Sequence, residues 1–479
     1  MIPSMSARSV LSSLSPHSIA LIWFVVGLLV SVSGWLGLLG APLQLLLMLP
    51  LMVLIYELQQ IWSELQYSPQ LRTLALLLAL IWISHAIQVF VPETGFDAVW
   101  YHLPVAAADI AAGKFVFMPE LYQSANPLFS DSIFFLGFML SGELGVKGVA
   151  YLLGLSLVLI SYKLAKTLLS PAWALLAAAM VSVMQVVTWQ SASFYVDVAL
   201  AMWLLGAIGC TLTSTTHASA KPTAAVLPIS LLKIPPALIV SSMFLGAALA
   251  TKLFAILYLP LFAWIYWQRT RSVRLTGILL LLAGLVLLPY LVFAANHLGN
   301  PFYSIFNHVA GISAIGAPTL VSQIISATAS LWYSPIALLL SRDYISPLVI
   351  LTAPALVWLL RSRPALHETE RLLGLFVINS WLIWWYVPPR STRYALAGFI
   401  VLLLLLIKWT REYFVAKGCK PAILYAACIC SVMVLTIPRV IVNVRSARYL
   451  TGMQSKTDYI SQFKDGWIDA PLTTWHQLD

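Results

Sequence analysis

The sequence predicts an all-α polytopic membrane protein with about thirteen transmembrane helices and two long outward loops carrying juxtamembrane helices. Three observations predict it. Of 479 residues, 61% are hydrophobic and only 9% charged, against about 25% charged in soluble domains. Mean hydropathy is +0.90, which leaves no room for a large water-soluble domain. Several apolar runs approach the roughly 20 residues that cross a hydrocarbon core as helix, whereas a β-barrel would alternate over segments of about ten residues.

In chain order the apolar runs place spans at 18–39, 43–58, 71–90, 145–163, 171–189, 196–213, 237–250, 253–267, 275–295, 346–360, 372–388, 394–409 and 421–438. Arg8 precedes the first run as in a signal peptide, but that run is long and another begins at Pro42, so it reads as an uncleaved first span. Residues 91–144 and 296–345 remain as the outward loops. Tyr122 and Asn126-Pro127 break the first, and the Gly-Asn-Pro turn of GNPFYSIFN (299–307) opens the second. Residues 1–438 therefore form one polytopic transmembrane domain. Residues 439–479, with Arg448-Tyr449 and Lys456 through Tyr459, form an outward tail.

Charge orients the chain. With the N-terminus in the cytoplasm, Arg269/Arg271/Arg274, Arg361/Arg363/Arg371 and Lys408/Arg411/Lys417/Lys420 all fall inside. The net charge of +10 is thus a topology signal, and no soluble basic face exists for nucleic acid. No Walker-type or dinucleotide glycine loop occurs, no internal repeat is convincing, and no His/Cys/Asp cluster has metal-ligand spacing. No cofactor and no metal are expected. Cys210, Cys419, Cys428 and Cys430 give no disulfide framework; the last two sit in an apolar run as small buried thiols.

The acidic residues concentrate outside, so the chemistry should face outward. In GFDAVWYHLP (95–104), Asp97 stands at a membrane edge, where a carboxylate suits proton abstraction from a polar substrate. Its plain alternative is a solvated cap of a juxtamembrane helix. Tyr101 accompanies it, Glu93 reads as a loop residue, and His102 as support for the loop, a contact to a substrate hydroxyl, or a cap before Pro104. Asp197, in SASFYVDVALA, stands where a span re-enters the membrane and faces either a cavity or the surface. Lys252, in GAALATKLF, lies outside against the charge rule. It meets either an anionic group or one of the outward carboxylates. Arg390 and Arg393, in PPRSTRYA, match phosphate geometry through bidentate bonds or else snorkel to headgroups. Two carboxylates, a Lys and an Arg pair on separate loops of one face are what a lipid-phosphate substrate needs.

Together these residues resemble the GT-C superfamily of membrane glycosyltransferases, in the bacterial branch related to protein O-mannosyltransferases and lipid A aminoarabinose transferases. The resemblance runs from about residue 91 to 460. It rests on Phe96-Asp97, Tyr101-His102-Leu103-Pro104, Asp197, Gly246 with Thr251-Lys252, Gly299-Asn300-Pro301, Arg393-Tyr394, and Tyr449-Leu450-Thr451-Gly452 before Tyr459. It implies that Asp97 is the catalytic base, that Asp197 belongs to the substrate cavity, and that Lys252 and Arg393 lie near the donor phosphate. Many members carry Asp-Glu where this chain has Asp97-Ala98, so the adjacent acid is missing. The implied reaction is inverting transfer of a sugar from a polyprenyl-phosphate donor to a glycan, lipid or protein acceptor. It implies a bacterial inner membrane, with the site and tail periplasmic. The rivals are a flippase for lipid-linked saccharides and another membrane glycan polymerase or ligase. Transporters carry ionisable groups at mid-membrane depth, whereas the charges here lie at span ends and in loops, among membrane lipids.

Overall fold

The computed structural model describes residues 17–65, 68–213, 234–303, 347–362, 364–386 and 391–463. Its regular structure is helical, and among the described residues the extended chain forms only one isolated bridge, Met118 with Leu121. Among the described residues seven helical segments are long and apolar enough to cross a membrane: Ser18–Leu36, Ala41–Leu65, Pro69–Phe90, Phe129–Lys166, Val273–Leu298, Thr392–Ala416 and Pro421–Leu450. The chain is a multi-pass membrane protein. Shorter apolar helices fill the spaces between these segments.

In order, α1 is Ser18–Leu36, α2 Met48–Leu65, α3 Pro69–Ile87, α4 Leu103–Ala112 and α5 Phe129–Lys166. Next come α6 Pro171–Ser182, α7 Gln185–Gln190, α8 Asp197–Thr213 and α9 Pro236–Leu249. The rest are α10 Leu259–Thr270, α11 Val273–Leu298, α12 Pro347–Ser362, α13 Glu368–Tyr386, α14 Leu396–Ala416, α15 Pro421–Leu450 and α16 Lys456–Ser461. The segment containing α14 is 78% buried and forms the centre; α15 is 17% buried and lies at the lipid boundary. Val434, Ile437, Ile441 and Val444 on α15 face outward accordingly.

The first loop departs most from the sequence reading. Residues 129–140, expected outside the membrane with the rest of 91–144, form the first arm of α5. FSDSIFFLGFML folds back on the helix that follows it, through a turn at Ser141 and Gly142. Gly142 takes φ 58°, a left-handed conformation suited to glycine. Gly137 and Gly145 then pack backbone to backbone, where an added Cβ would come within 2.3 or 2.0 Å of the opposite chain. The arm sits among the spans: Ser132 reaches Ser31 at 3.1 Å and Phe129 packs on Phe24, both on α1. Without an apolar solvent penalty between helices, such small residues and hydroxyl pairs hold spans together.

Two expected spans are broken. The 171–189 run splits between α6 and α7, because the Ser182 carbonyl accepts from His85 at 2.9 Å and Thr188 at 3.2 Å instead of extending the helix. The 253–267 run begins as a 3-10 turn, Leu253–Tyr258, before α10. At the other end, α15 continues through Pro438 to Leu450. Residues 439–450 are therefore helix, and the described part of the tail ends in α16. All four cysteines are free; Cys210 and Cys428 are buried, Cys419 and Cys430 exposed.

Candidate active site

Asp97 follows the irregular segment 92–95 and precedes a single π turn, Ala98–His102, that leads into α4. Its carboxylate makes no capping bond to that helix. Instead Oδ2 accepts from Arg393 Nη1 at 2.8 Å, while the Asp97 backbone N–H donates to the Tyr195 hydroxyl at 3.0 Å. Oδ1 accepts no hydrogen bond among the described residues, and the side chain keeps 16% exposure.

Arg393 comes from a 3-10 turn, Thr392–Ala395, that feeds α14. Its guanidinium lies 5.5 and 5.2 Å from the ring centroids of Tyr195 and Tyr394, within cation–π range. Its Nε is 3.9 Å from Asp197 Oδ2. Asp197 opens α8 with its carboxylate fully buried, where a helix N-terminus favours negative charge. It accepts from Lys252 Nζ at 2.6 Å and from Gln190 Nε2 at 2.8 Å. Gln190 is itself fixed by Val198 N–H at 3.2 Å. Lys252 is held in the turn that ends α9, where the Thr251 and Lys252 N–H groups both donate to the Ala248 carbonyl. Its ammonium lies 4.9 Å from the Tyr394 ring centroid.

Four charges from four separate segments thus form a row, Asp97–Arg393–Asp197–Lys252, that alternates in sign and sums to zero. Lys252 makes the carboxylate pairing that the sequence left open beside an anionic ligand, and Arg393 pairs in the same way. Burial first, and then the Asp97 carboxylate, push the Tyr101 and Tyr195 phenols well above their ordinary range. Both are therefore neutral donors at physiological pH.

The remaining predicted residues take other positions. The His102 ring bonds to the buried carboxylate of Asp131 and stacks on Phe194 at 4.9 Å, with Tyr101 4.1 Å away. It does not cap α4. Glu93 is buried, and its carboxylate ties two strands of chain together. Oε1 accepts from Thr94 N–H, Gly95 N–H and Ser193 Oγ, and Oε2 from Phe194 N–H. It fixes the wall behind Asp97. Arg390 lies outside the described residues.

Sequence reasoning missed Asp131, Gln190 and Tyr195, and used Tyr394 as a landmark of the resemblance without assigning it to the site. Asp131 carried a usable signal, as an acid inside an apolar run. The two tyrosines sit beside the charged residues that were chosen, in YVD and RY. Among the described residues no three His, Cys, Asp or Glu side chains gather to hold a metal ion.

No family model matches the chain, and no curated protein matches it. One solved structure is similar: ArnT from Cupriavidus metallidurans bound to undecaprenyl phosphate. The likeness has 14% sequence identity and a TM-score of 0.49, and covers 84% of this chain and 76% of that one. Identity this low leaves function to be read from the side chains.

Proposed function

We propose that the protein is a membrane glycosyltransferase that moves a sugar from a polyprenyl-phosphate donor to an acceptor hydroxyl at the outer face, with inversion. The observation that carries this reading is the state of Asp97. One oxygen is anchored by Arg393, while the other accepts no hydrogen bond among the described residues. A base needs a fixed position and a free lone pair; Asp97 has both.

In the reaction, Asp97 Oδ1 takes the acceptor O–H proton as that oxygen bonds to the anomeric carbon. The bond from that carbon to the phosphate oxygen breaks, and polyprenyl phosphate leaves with the electron pair. Arg393 and Lys252 are placed to meet the charge that grows on the leaving phosphate, where electrostatic help is worth most. The neutral row explains how two cations rest in a buried site before a donor arrives. Tyr101 and Tyr195, as neutral phenols, position the sugar. The basic loops support an orientation with this face outside the membrane, and the resemblance to the bacterial branch supports a bacterial inner membrane with this face periplasmic.

The test uses purified protein in detergent with envelope extract from cells lacking it. Mass spectrometry should detect free polyprenyl phosphate and a new glycoside that appear together. A flippase would release neither, and that outcome removes the proposal.

A further inference from the structure

We propose that a second site, formed by the end of α3, α7 and α15, binds the phosphate group of an anionic ligand independently of the Asp97 row. A cavity of about 290 Å³ opens there, with Gln88, Glu93, Lys147, Trp189, Arg439 and Tyr459 in its wall. Arg439 is the informative residue. It is only 6% exposed, its Nε is buried without an acceptor, and its guanidinium makes no hydrogen bond or ion pair among the described residues. A buried cation left unpaired is strongly unfavourable, so a counter-charge is expected when the site is in use.

The neighbouring side chains do not supply one. His85, Lys147 and Tyr459 are the titratable groups that act on Arg439, and none is a carboxylate. The two nearby acids are matched elsewhere. Glu93 accepts from three backbone N–H groups and the Ser193 hydroxyl. Glu143 accepts from the Glu93 N–H and has Lys456 Nζ at 3.9 Å. Lys147 donates to the Val91 carbonyl while facing Glu93 and Glu143. Arg439 is the surplus charge.

Ligand chemistry follows from the rest of the wall. A guanidinium in a concave site suits the planar, bidentate recognition of phosphate oxygens. Met184, Leu435, Val442 and Phe463 give the same cavity an apolar side. The opposite face of α15 is the lipid-facing stripe already described, so the cavity lies one helix away from lipid, and a phosphate carried on a lipid and a free phosphate would use the same guanidinium. Glu93 and Trp189 separate this cavity from the Asp97 row. Trp189 packs against Tyr195 with ring centroids 4.5 Å apart. The inference does not depend on sugar transfer.

The test is a native mass-spectrometric titration of the full chain in detergent with dodecyl phosphate, repeated with inorganic phosphate as competitor. Arg439→Gln should weaken dodecyl phosphate binding by about 10-fold or more. Arg439→Lys should recover part of it, and Arg393→Gln should leave binding at this site in place. Competition by inorganic phosphate supports a free-phosphate source, and lack of competition supports a lipid source. Unchanged binding in Arg439→Gln overturns the proposal, as does loss in Arg393→Gln alone. Should Arg439→Gln fail to fold, the wild-type chain can be photolabelled with a diazirine-bearing dodecyl phosphate. Crosslinks within 184–193 or 435–446 support the site, and crosslinks confined to other segments overturn it.

Discussion

At the Ser18 end of α1, Glu57 accepts from Ser18 and from Lys163 at 2.6 Å, and Lys166 holds Glu64 at 2.7 Å. The Asp97 row lies toward the opposite end of the bundle. His17 packs on Gly209, twelve residues along α8 from Asp197, which at about 1.5 Å per residue separates the clusters by about 18 Å. Both ends use acids and amines from different helices, yet they are closed differently. At the Ser18 end each acid pairs with its own lysine, joining α2 to α5. At the other end one guanidinium serves two carboxylates, tyrosine rings surround it, and an Asp97 oxygen is left open. The first arrangement completes a structure; the second leaves room for a reactant.

Substitutions should separate the two ends. The largest effect on stability is expected for Asp197→Ala, which strands Lys252 and weakens the hold on Arg393 in a fully buried site. Removing one partner of a buried pair costs about 3–5 kcal/mol, so the thermal midpoint in detergent should fall by many degrees. A drop no larger than that of a surface substitution would break the contrast.

Asp109 sharpens it from another side. This carboxylate on α4 is buried; Oδ1 accepts from Val116 N–H, and among the described residues no cation pairs with it and Oδ2 has no partner. Burial chiefly pushes it up to about 8, with a smaller push from Asp131. Its folded value is raised above the unfolded value of about 3.9, so its contribution is fully present below the unfolded value and is lost as pH rises through about 8. Asp109→Asn should flatten the pH dependence of the melting midpoint, and above the folded value it should be more stable than wild type. Parallel melting curves for the two proteins from acid to mild alkali would remove this assignment.

The smallest effect is expected at the exposed pair. Lys166→Ala opens a bridge to Glu64 whose side chains are 34% and 44% exposed, and such pairs contribute about 1 kcal/mol or less. A loss as large as that of Asp197→Ala would erase the distinction between the ends.

The members of the row were legible in the sequence because charge is scarce there: 9% of residues. Asp97, Asp197 and Lys252 each stood out against apolar neighbours, and Arg393 as one of two arginines in the short hairpin between spans. A pairing of Lys252 with an outward carboxylate was legible as an alternative, but which carboxylate it meets was not. Nor was the pairing of Asp97 with Arg393, 296 residues apart, because only the packing of α8, α9 and α14 brings these segments together. Tyr195 was passed over as one of 19 tyrosines, and Tyr394 was marked beside Arg393 without a place in the site. The helical class was readable from hydropathy, whereas the folded-back first arm of α5 was not. Its serines and Asp131 made FSDSIFFLGFML look like loop, and the close glycine contact that seats it is a tertiary fact. The break after Ser182 was hidden for the same reason, because a distant histidine takes the carbonyl.

The most direct test of the account is Asp97→Asn in purified protein, read as the rate of polyprenyl phosphate release alongside the melting midpoint. The amide keeps the shape and can still meet Arg393, but it offers no base. Transfer should fall by about 10²–10⁴-fold with the fold retained. Transfer at the wild-type rate by a folded Asp97→Asn protein would contradict the account.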